Sequence, residues 1–403
     1  MENVYTALSL SLITKNRFVI SCEESTKAIN QFINYILQPI NFNQSQYVII
    51  DLLQNKTDDE ILDQMSYVVD DKLWFKNIII WQNLQHLENK EYKRLYKLIL
   101  QIDNYNMNSS KLLNNLPSSF TIDKKIIEIY KPKLFTIIPF LEYDLYRNKI
   151  YPFLKEQFWY SINFPIISDS TSNQLSDVKF MPNTQDTLLV LRSKMDKVFM
   201  SPEIKGYIYS LIVFIRCHRI GSLAPKQVRV PTITLEYVYD FCKALVLWKK
   251  KLLIDEQPPS QLHSIEKTEE KIEEKISSLS DSGTSETATA ATDFYINTDE
   301  LFITPEYVKL AIRKICYWLV DWEYNTKFAN TDDFKYTNNE EQQQILATKK
   351  LEISMLTGDW YGSDYNHVNE YLKGYKHEKD YDSPTGFTNK IIEECINSVR
   401  PPL

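Results

Sequence analysis

Glycine is scarce in this chain, which has 7 glycines among 403 residues. Loops that wrap phosphate with backbone amides normally depend on glycine, because a side chain would keep the backbone away from the ligand. The five cysteines form no C-x-x-C pair and are odd in number, which fits a reducing compartment better than a disulfide framework. The five histidines lie in no zinc-type spacing and beside no nucleophile motif. These absences disfavour a glycine-cradled phosphate site, a metal site and a hydrolytic triad.

Positive charge and long apolar runs are also lacking. The formal net charge is -7 and the pI is about 5.5, so the field of the whole molecule repels nucleic acid and anionic membranes. No apolar stretch approaches the ~20 residues that span a bilayer, and no basic segment precedes the N-terminal apolar run. We therefore expect a soluble nuclear or cytoplasmic protein with no membrane partner.

Short apolar runs alternate with helical patterns up to about residue 165. The predicted strands are FVIS (18–21), YVIIDLL (47–53), NIIIW (77–81), LFTIIPF (134–140) and QFWYSINF (157–164). The predicted helices between them include STKAINQFINYIL (25–37), DDEILDQMSYVV (58–69) and a third pattern over 92–102. Strands separated by helices of this length predict an α/β domain with a parallel sheet and crossover helices on both faces.

Beyond residue 165 the pattern becomes helical. Ser201-Pro202-Glu203 and Thr304-Pro305-Glu306 both read as helix starts, with a capping hydroxyl, proline in the first turn and an acidic residue near the positive helix end. We predict an α/β core (1–165), a linker (166–190), a lid-like helical domain (191–254 and 294–325), a disordered charged insert (255–293) and a C-terminal helical extension (326–403).

The order of these parts resembles the AAA+ ATPase module of the MoxR and magnesium-chelatase type. FVISCEESTK takes the place of the first strand and phosphate loop, NIIIWQNLQHL that of the strand ending in an acidic pair, and LFTIIPFLEYD that of the polar-sensor strand. VFMSPEIKGYIYSLIVFIRCHRI and LFITPEYVKLAIR resemble the helical lid. The resemblance implies an AAA+-like parallel sheet with flanking helices, followed by an all-α lid-like domain.

The groups that carry the chemistry of that family are replaced in this chain. The glutamates of SCEESTK stand where phosphate would bind, and Trp81 and Gln82 stand where the acidic pair would hold magnesium. Gln157 and Lys226 occupy the places of the finger and second-sensor arginines. We predict no catalytic residue, no metal and no cofactor, with a vestigial nucleotide site near Glu23, Lys27, Trp81, Gln82 and Lys226.

A second resemblance covers nearly the whole chain. MSPEIKGYIYSLIVFIRCHRI, ITPEYVKLA, WYGSD and the last helix before Arg-Pro-Pro-Leu resemble the fungal maintenance of telomere capping protein 2 family. No enzymatic activity comes with that resemblance, which implies a role in protecting chromosome ends. Our leading hypothesis is a non-catalytic interaction or scaffold protein that has protein partners.

Two alternatives stay open. The chain could be a nucleotide-binding regulatory subunit of an AAA+ assembly, with Lys27 and Lys226 as phosphate contacts. It could also bind nucleic acid directly through a basic surface over 216–251, although basic residues near a helix C-terminus are already favoured by the helix dipole. We call these residues the basic surface: Arg216, Arg219, Lys226, Arg229, Lys249, Lys250 and Lys251.

Overall fold

The computed structural model describes most of the α/β core and parts of the helical region. The described residues are 1–54, 57–103, 117–122, 125–142, 150–166, 180, 184–218, 230–256, 301–319 and 390–402. The strands are β1 (Arg17–Cys22), β2 (Tyr47–Asp51), β3 (Ser66–Val69), β4 (Lys72–Phe75), β5 (Ile78–Gln82), β6 (Ser118–Ile122), β7 (Lys125–Tyr130), β8 (Thr136–Glu142) and β9 (Phe158–Asn163). The helices are α1 (Glu2–Thr14), α2 (Ser25–Phe32), α3 (Asp58–Met65), α4 (Asn89–Ile102), α5 (Pro152–Lys155), α6 (Thr184–Ser193), α7 (Pro202–Cys217), α8 (Thr234–Glu256), α9 (Pro305–Leu319) and α10 (Lys390–Ser398).

Five parallel strands form the main sheet, in the order β2-β5-β8-β1-β9. Parallel neighbours need a crossover connection, and the helical patterns between the apolar runs supply it. The central strands are buried along their length, as the continuous apolar run of β5 predicts. The predicted parallel α/β class is confirmed, and each of the five predicted strands forms.

Helices cover both faces of the main sheet. Ile20 of β1 and Phe140 of β8 are register partners, so their side chains point to the same face. On that face the Phe32 ring of α2 packs against the Phe140 ring, with ring centroids 5.6 Å apart. Arg17 lies an odd number of residues from Ile20, so its side chain points to the other face. There it forms a bidentate pair with Asp103, directly after α4. The prediction of crossover helices on both faces is therefore confirmed.

A second sheet of four strands, in the order β3-β4-β7-β6, was not predicted. The pattern over 58–69 suggested one helix, but α3 ends at Met65 and Ser66 begins a strand. Aromatic and β-branched residues favour a strand there, and Asp70 and Asp71 close a hairpin with φ of 50° and 61°. Two successive positive φ angles are typical of the type I′ turn, whose twist matches that of paired strands. The prediction of a helix through residue 69 was wrong for this reason.

The helical region begins as its sequence predicts. Ser201 Oγ accepts a hydrogen bond from the backbone N–H of Ile204 at 3.2 Å, and Pro202 opens α7. Helix α6 runs across the boundary placed at residues 190 and 191. The charged insert, except for residues 255 and 256 in α8, lies outside the described residues, as does the C-terminal extension before Lys390.

Helices α7, α8 and α9, called the helical cap below, share one hydrophobic core with the main sheet. Trp159 of β9 donates from Nε1 to the carbonyl of Tyr237 in α8 at 2.9 Å. Trp318 of α9 donates to the carbonyl of Lys155 at 3.2 Å, and the Tyr237 hydroxyl donates to the carbonyl of Glu156 at 2.8 Å. The cap is therefore anchored to β9 and to the segment just before it.

None of the helices in the described ranges combines the length and the apolar character that a bilayer span requires.

Candidate functional site

The carboxyl edge of the main sheet is where a parallel α/β domain normally binds a ligand. Here β1 ends at Cys22 and α2 begins at Ser25, so Glu23 and Glu24 alone connect them. A phosphate loop of the G-x-x-x-x-G-K-[ST] type needs several residues between strand and helix, because its backbone amides surround the phosphates. A two-residue connection leaves no such loop, and both of its residues carry acidic side chains.

The two glutamates and Lys27 occupy the amino end of α2. Glu23 is exposed. Glu24 forms an ion pair with Lys27, in which Lys27 Nζ lies 2.7 Å from Glu24 Oε2. The hydrogen bond from Lys27 lowers the pKa of the Glu24 carboxyl, and Thr26 contributes a further bond at 3.2 Å. A helix amino end attracts anions, and here the chain supplies carboxylates of its own. Lys27, predicted as a vestigial phosphate contact, is bonded to Glu24.

A chain of polar side chains joins the ends of three elements. Gln82 of β5 donates from Nε2 to Ser25 Oγ at 3.4 Å, and Ser25 Oγ donates to Glu142 Oε1 of β8 at 3.5 Å. Both distances are at the long end for hydrogen bonds, so each bond is weak. Ser25 is buried between these two side chains. The predicted proximity of the β1 exit and the β5 exit is therefore present in the fold.

Trp81 lies at the predicted position but faces away from this chain of side chains. Successive residues of a strand point to opposite faces, and Gln82 points toward Ser25. The Trp81 ring is fully buried and meets Phe158 of β9 edge-on, with ring centroids 6.3 Å apart. Trp81 therefore packs in the core beside the sheet. Of Trp81 and Gln82, which were both predicted at the site, Gln82 lines it.

Cys22 closes the buried side of the site. Its thiol contacts the carbonyl of Leu141 at 3.5 Å. Burial, and to a smaller extent the nearby Glu142 carboxylate, raises the pKa of the Cys22 thiol to about 12. A thiol that stays protonated at neutral pH is a poor nucleophile and a poor metal ligand. Cys22 is therefore a packing residue.

Two strand-final carboxylates were missed by the sequence analysis. Asp51 ends β2 and accepts hydrogen bonds from Asn83 Nδ2 at 2.8 Å and from the backbone N–H of Leu53 at 3.0 Å. Glu142 ends β8 and meets Ser25. The signal was present, since each carboxylate directly follows an apolar strand pattern. Within the described ranges, no three His, Cys, Asp or Glu side chains are grouped so that they could hold a metal ion.

The basic surface is only partly described. Three of its members lie outside the described residues: Arg219, Lys226 and Arg229. The predicted place of Lys226 near the vestigial nucleotide site therefore stays a prediction. Arg216 donates from Nε to the carbonyl of Val230 at 3.0 Å, and Lys249 lies over the Tyr307 ring at 5.1 Å. Arg216 lies in the last turn of α7 whereas Lys249, Lys250 and Lys251 lie on α8, so the described members come from two helices. Gln157, which the sequence resemblance aligns with a finger arginine, donates to the carbonyl of Phe153 at 3.3 Å.

Comparison with known proteins yields distant structural likeness alone. No family model matches the chain, and no curated protein matches it. Among solved structures, a "putative ATPase" from Cytophaga hutchinsonii aligns with 13% identity and a TM-score of 0.39, over 61% of this chain and 74% of that one. A full-length MCM homolog from Methanopyrus kandleri aligns with 13% identity and a TM-score of 0.37, over 61% of this chain and half of its own length.

Proposed function

We propose that this chain is a non-catalytic interaction protein built on an AAA+-like α/β module. The observation that supports this most is the two-residue connection from β1 to α2, filled by Glu23 and Glu24. Phosphoryl transfer depends on positioning and charge neutralisation of a triphosphate and its magnesium ion. Carboxylates at that position repel the phosphates, and Gln82 offers an amide where a carboxylate would bind the metal.

A turnover assay tests this proposal. We expect the full chain to release no phosphate from ATP with magnesium above the uncatalysed background. A double variant, Glu23→Gln with Glu24→Gln, serves as a matched control, because removing both charges leaves the short connection unchanged. It too should show no turnover. Magnesium-dependent turnover by the unaltered chain would contradict the proposal.

The regulatory-subunit alternative makes a different prediction. If Lys27 binds a nucleotide phosphate, then ATP must compete with Glu24 for the Lys27 ammonium group, which lies 2.7 Å from the carboxylate. Nucleotide binding would raise the thermal stability of the chain, and Lys27→Met would abolish that rise. We expect neither effect, because the carboxylates of Glu23 and Glu24 beside Lys27 repel the phosphates.

We further propose that the interaction role serves telomere capping in the nucleus. This finer proposal is supported by the motif resemblance alone, from MSPEIKGYIYSLIVFIRCHRI to the final Arg-Pro-Pro-Leu. Removing the chain from its organism should increase single-stranded DNA at chromosome ends. The Glu23→Gln, Glu24→Gln variant should restore protection fully, because the site is not used for catalysis. Chromosome ends that are unaffected by the loss would remove this proposal and leave the biochemical one standing.

A further inference from the structure

Three aromatic side chains form a row across the second sheet. Tyr67 of β3 is the register partner of Trp74 of β4, and Trp74 is the register partner of Tyr130 of β7. Register partners on neighbouring strands point to the same face of a sheet. Tyr67, Trp74 and Tyr130 therefore lie side by side, and we call them the aromatic row.

The aromatic row lies on the outer face of its sheet. The neighbours Phe75 and Ile129 point to the opposite face and are buried in the core. Tyr67, Trp74 and Tyr130 all remain partly exposed. The Trp74 and Tyr130 rings are 5.3 Å apart with an angle of 33° between their planes, so they form a nearly continuous aromatic surface.

Two lysines border the row, one before and one after Trp74 along the chain. Lys72 Nζ lies over the Tyr130 ring at 5.5 Å. Lys76 follows the end of β4, two residues after Trp74, and is partly exposed. Lys131 directly follows Tyr130, so its side chain points to the opposite face, where it lies near Asp103 and Arg17. The acidic residues Asp70 and Asp71 lie in the hairpin turn, directly before Lys72. Glu128 shares the outer face with Tyr130, two residues away on β7, and is exposed.

Partly exposed aromatic rings on neighbouring strands, with cations at their border, suit the stacking of nucleic acid bases. Every base has a π-face, and one base stacked on an aromatic side chain is worth roughly 1–3 kcal/mol. Some four-stranded RNA-binding sheets stack two or three bases on aromatic residues in this way. We propose that the aromatic row binds single-stranded nucleic acid, with the bases on the rings and the phosphates toward Lys72 and Lys76.

This surface differs from the basic surface on α7 and α8 and does not depend on the proposed function. The net charge of -7 disfavours binding that relies on phosphate contacts. Binding to the aromatic row relies mainly on stacking, so its affinity should fall only shallowly with salt. Duplex DNA hides its base faces and should bind much more weakly.

Fluorescence anisotropy with a labelled oligothymidylate of about 20 nucleotides tests the proposal, using the full chain and a duplex of the same length. We expect saturable binding to the single strand. Trp74→Ala and Tyr130→Ala should each weaken it about tenfold, as the loss of one stacked base predicts. Lys72→Glu should weaken binding, and Glu128→Gln should strengthen it about twofold by removing repulsion from phosphate.

Two matched variants separate stacking from loss of folding. Tyr130→Phe keeps the ring and should bind like the unaltered chain, whereas Tyr130→Ala should not. Phe302→Ala removes an aromatic ring that is 54% exposed just before α9, and should leave binding unchanged. The proposal is overturned if the chain binds no oligothymidylate, if Trp74→Ala and Tyr130→Ala leave binding unchanged, or if the row binds a proline-rich peptide and no nucleic acid.

Discussion

Lys314 is the most unusual single residue of the described core. It lies on α9 with 6% of its surface exposed, and its Nζ is 5.1 Å from the Tyr160 ring and 5.4 Å from the Phe241 ring. Desolvation lowers the pKa of Lys314 from its ordinary value of 10.5 to about 7. Two aromatic faces replace only part of the lost hydration of an ammonium group.

Lys314 should make stability depend on pH. Between pH 10.5 and about 7 the unfolded chain binds a proton at this lysine and the folded chain does not, so stability falls as the pH falls through this window and levels off below it. At about 1.4 kcal/mol for each pH unit, the cost near pH 7 is at most about 5 kcal/mol. Lys314→Met should therefore raise the melting temperature at pH 7, and the gain should shrink toward pH 10.

The control for this prediction is Lys309→Met on the same helix. Lys309 is partly exposed and pairs with Glu306 at 3.3 Å, so its loss should change stability by less than about 1 kcal/mol at any pH. Equal effects of the two substitutions at pH 7 would show that the burial of Lys314 carries no energetic cost.

At the scale of elements, helix α10 depends on a few contacts. It has nine residues and buries Ile392, Cys395 and Ile396. Arg313 of α9 donates to Glu393 through two bonds of 2.6 and 2.8 Å, and His218 after α7 lies 3.4 Å from Glu394. A helix this short is marginal in water without tertiary contacts. The bidentate pair is therefore important for keeping α10 on the cap.

Reversing one charge of that pair should loosen α10. We expect Arg313→Glu to speed hydrogen exchange of the α10 amides about tenfold, since an ion pair with ideal geometry contributes about 1–2 kcal/mol. The reciprocal double variant, Arg313→Glu with Glu393→Arg, should recover most of the protection. If the single variant exchanges like the unaltered chain, α10 is held by its apolar contacts alone.

The hairpin between β3 and β4 offers a stabilising change. Asp70 and Asp71 both adopt positive φ, which costs more for aspartate than for glycine. Replacing them with Asn-Gly, the preferred type I′ pair, should increase the free energy of unfolding by about 0.5–1 kcal/mol in a denaturant titration. A decrease would mean that the aspartate side chains stabilise the turn.

The sequence predicted elements with strong periodicity and missed those without it. The apolar run of β5 and the Ser-Pro-Glu start of α7 depend on neighbouring residues, so both could be recognised locally. The second sheet depends on pairing between residues far apart in the chain, such as Trp74 with Tyr130. The site shows the same contrast. The two glutamates before α2 were visible in SCEESTK, whereas the chain from Gln82 through Ser25 to Glu142 exists only once three distant segments meet.

At the scale of the whole molecule, the helical cap and the main sheet share one core. The Trp318 indole of the cap donates to the carbonyl of Lys155, and the Trp159 indole of β9 donates to the carbonyl of Tyr237 in the cap. Each hydrogen bond therefore joins the two parts. We expect the two parts to unfold in one cooperative transition in calorimetry. Trp318→Ala should cost about 3–5 kcal/mol and should lower hydrogen-exchange protection in β1 and α8 together. Loss of protection in α8 alone would show that the cap unfolds separately.

The central claim is that the carboxyl edge of the sheet is filled by the protein's own side chains and cannot hold a triphosphate. Isothermal titration of the full chain with ATP, with and without magnesium, tests this most directly. The account predicts no saturable heat up to ~1 mM nucleotide. A dissociation constant of about 1 mM corresponds to a binding free energy of about -4 kcal/mol, so any binding should be weaker than this. Magnesium-dependent binding in the low micromolar range, lost in Lys27→Met, would contradict it.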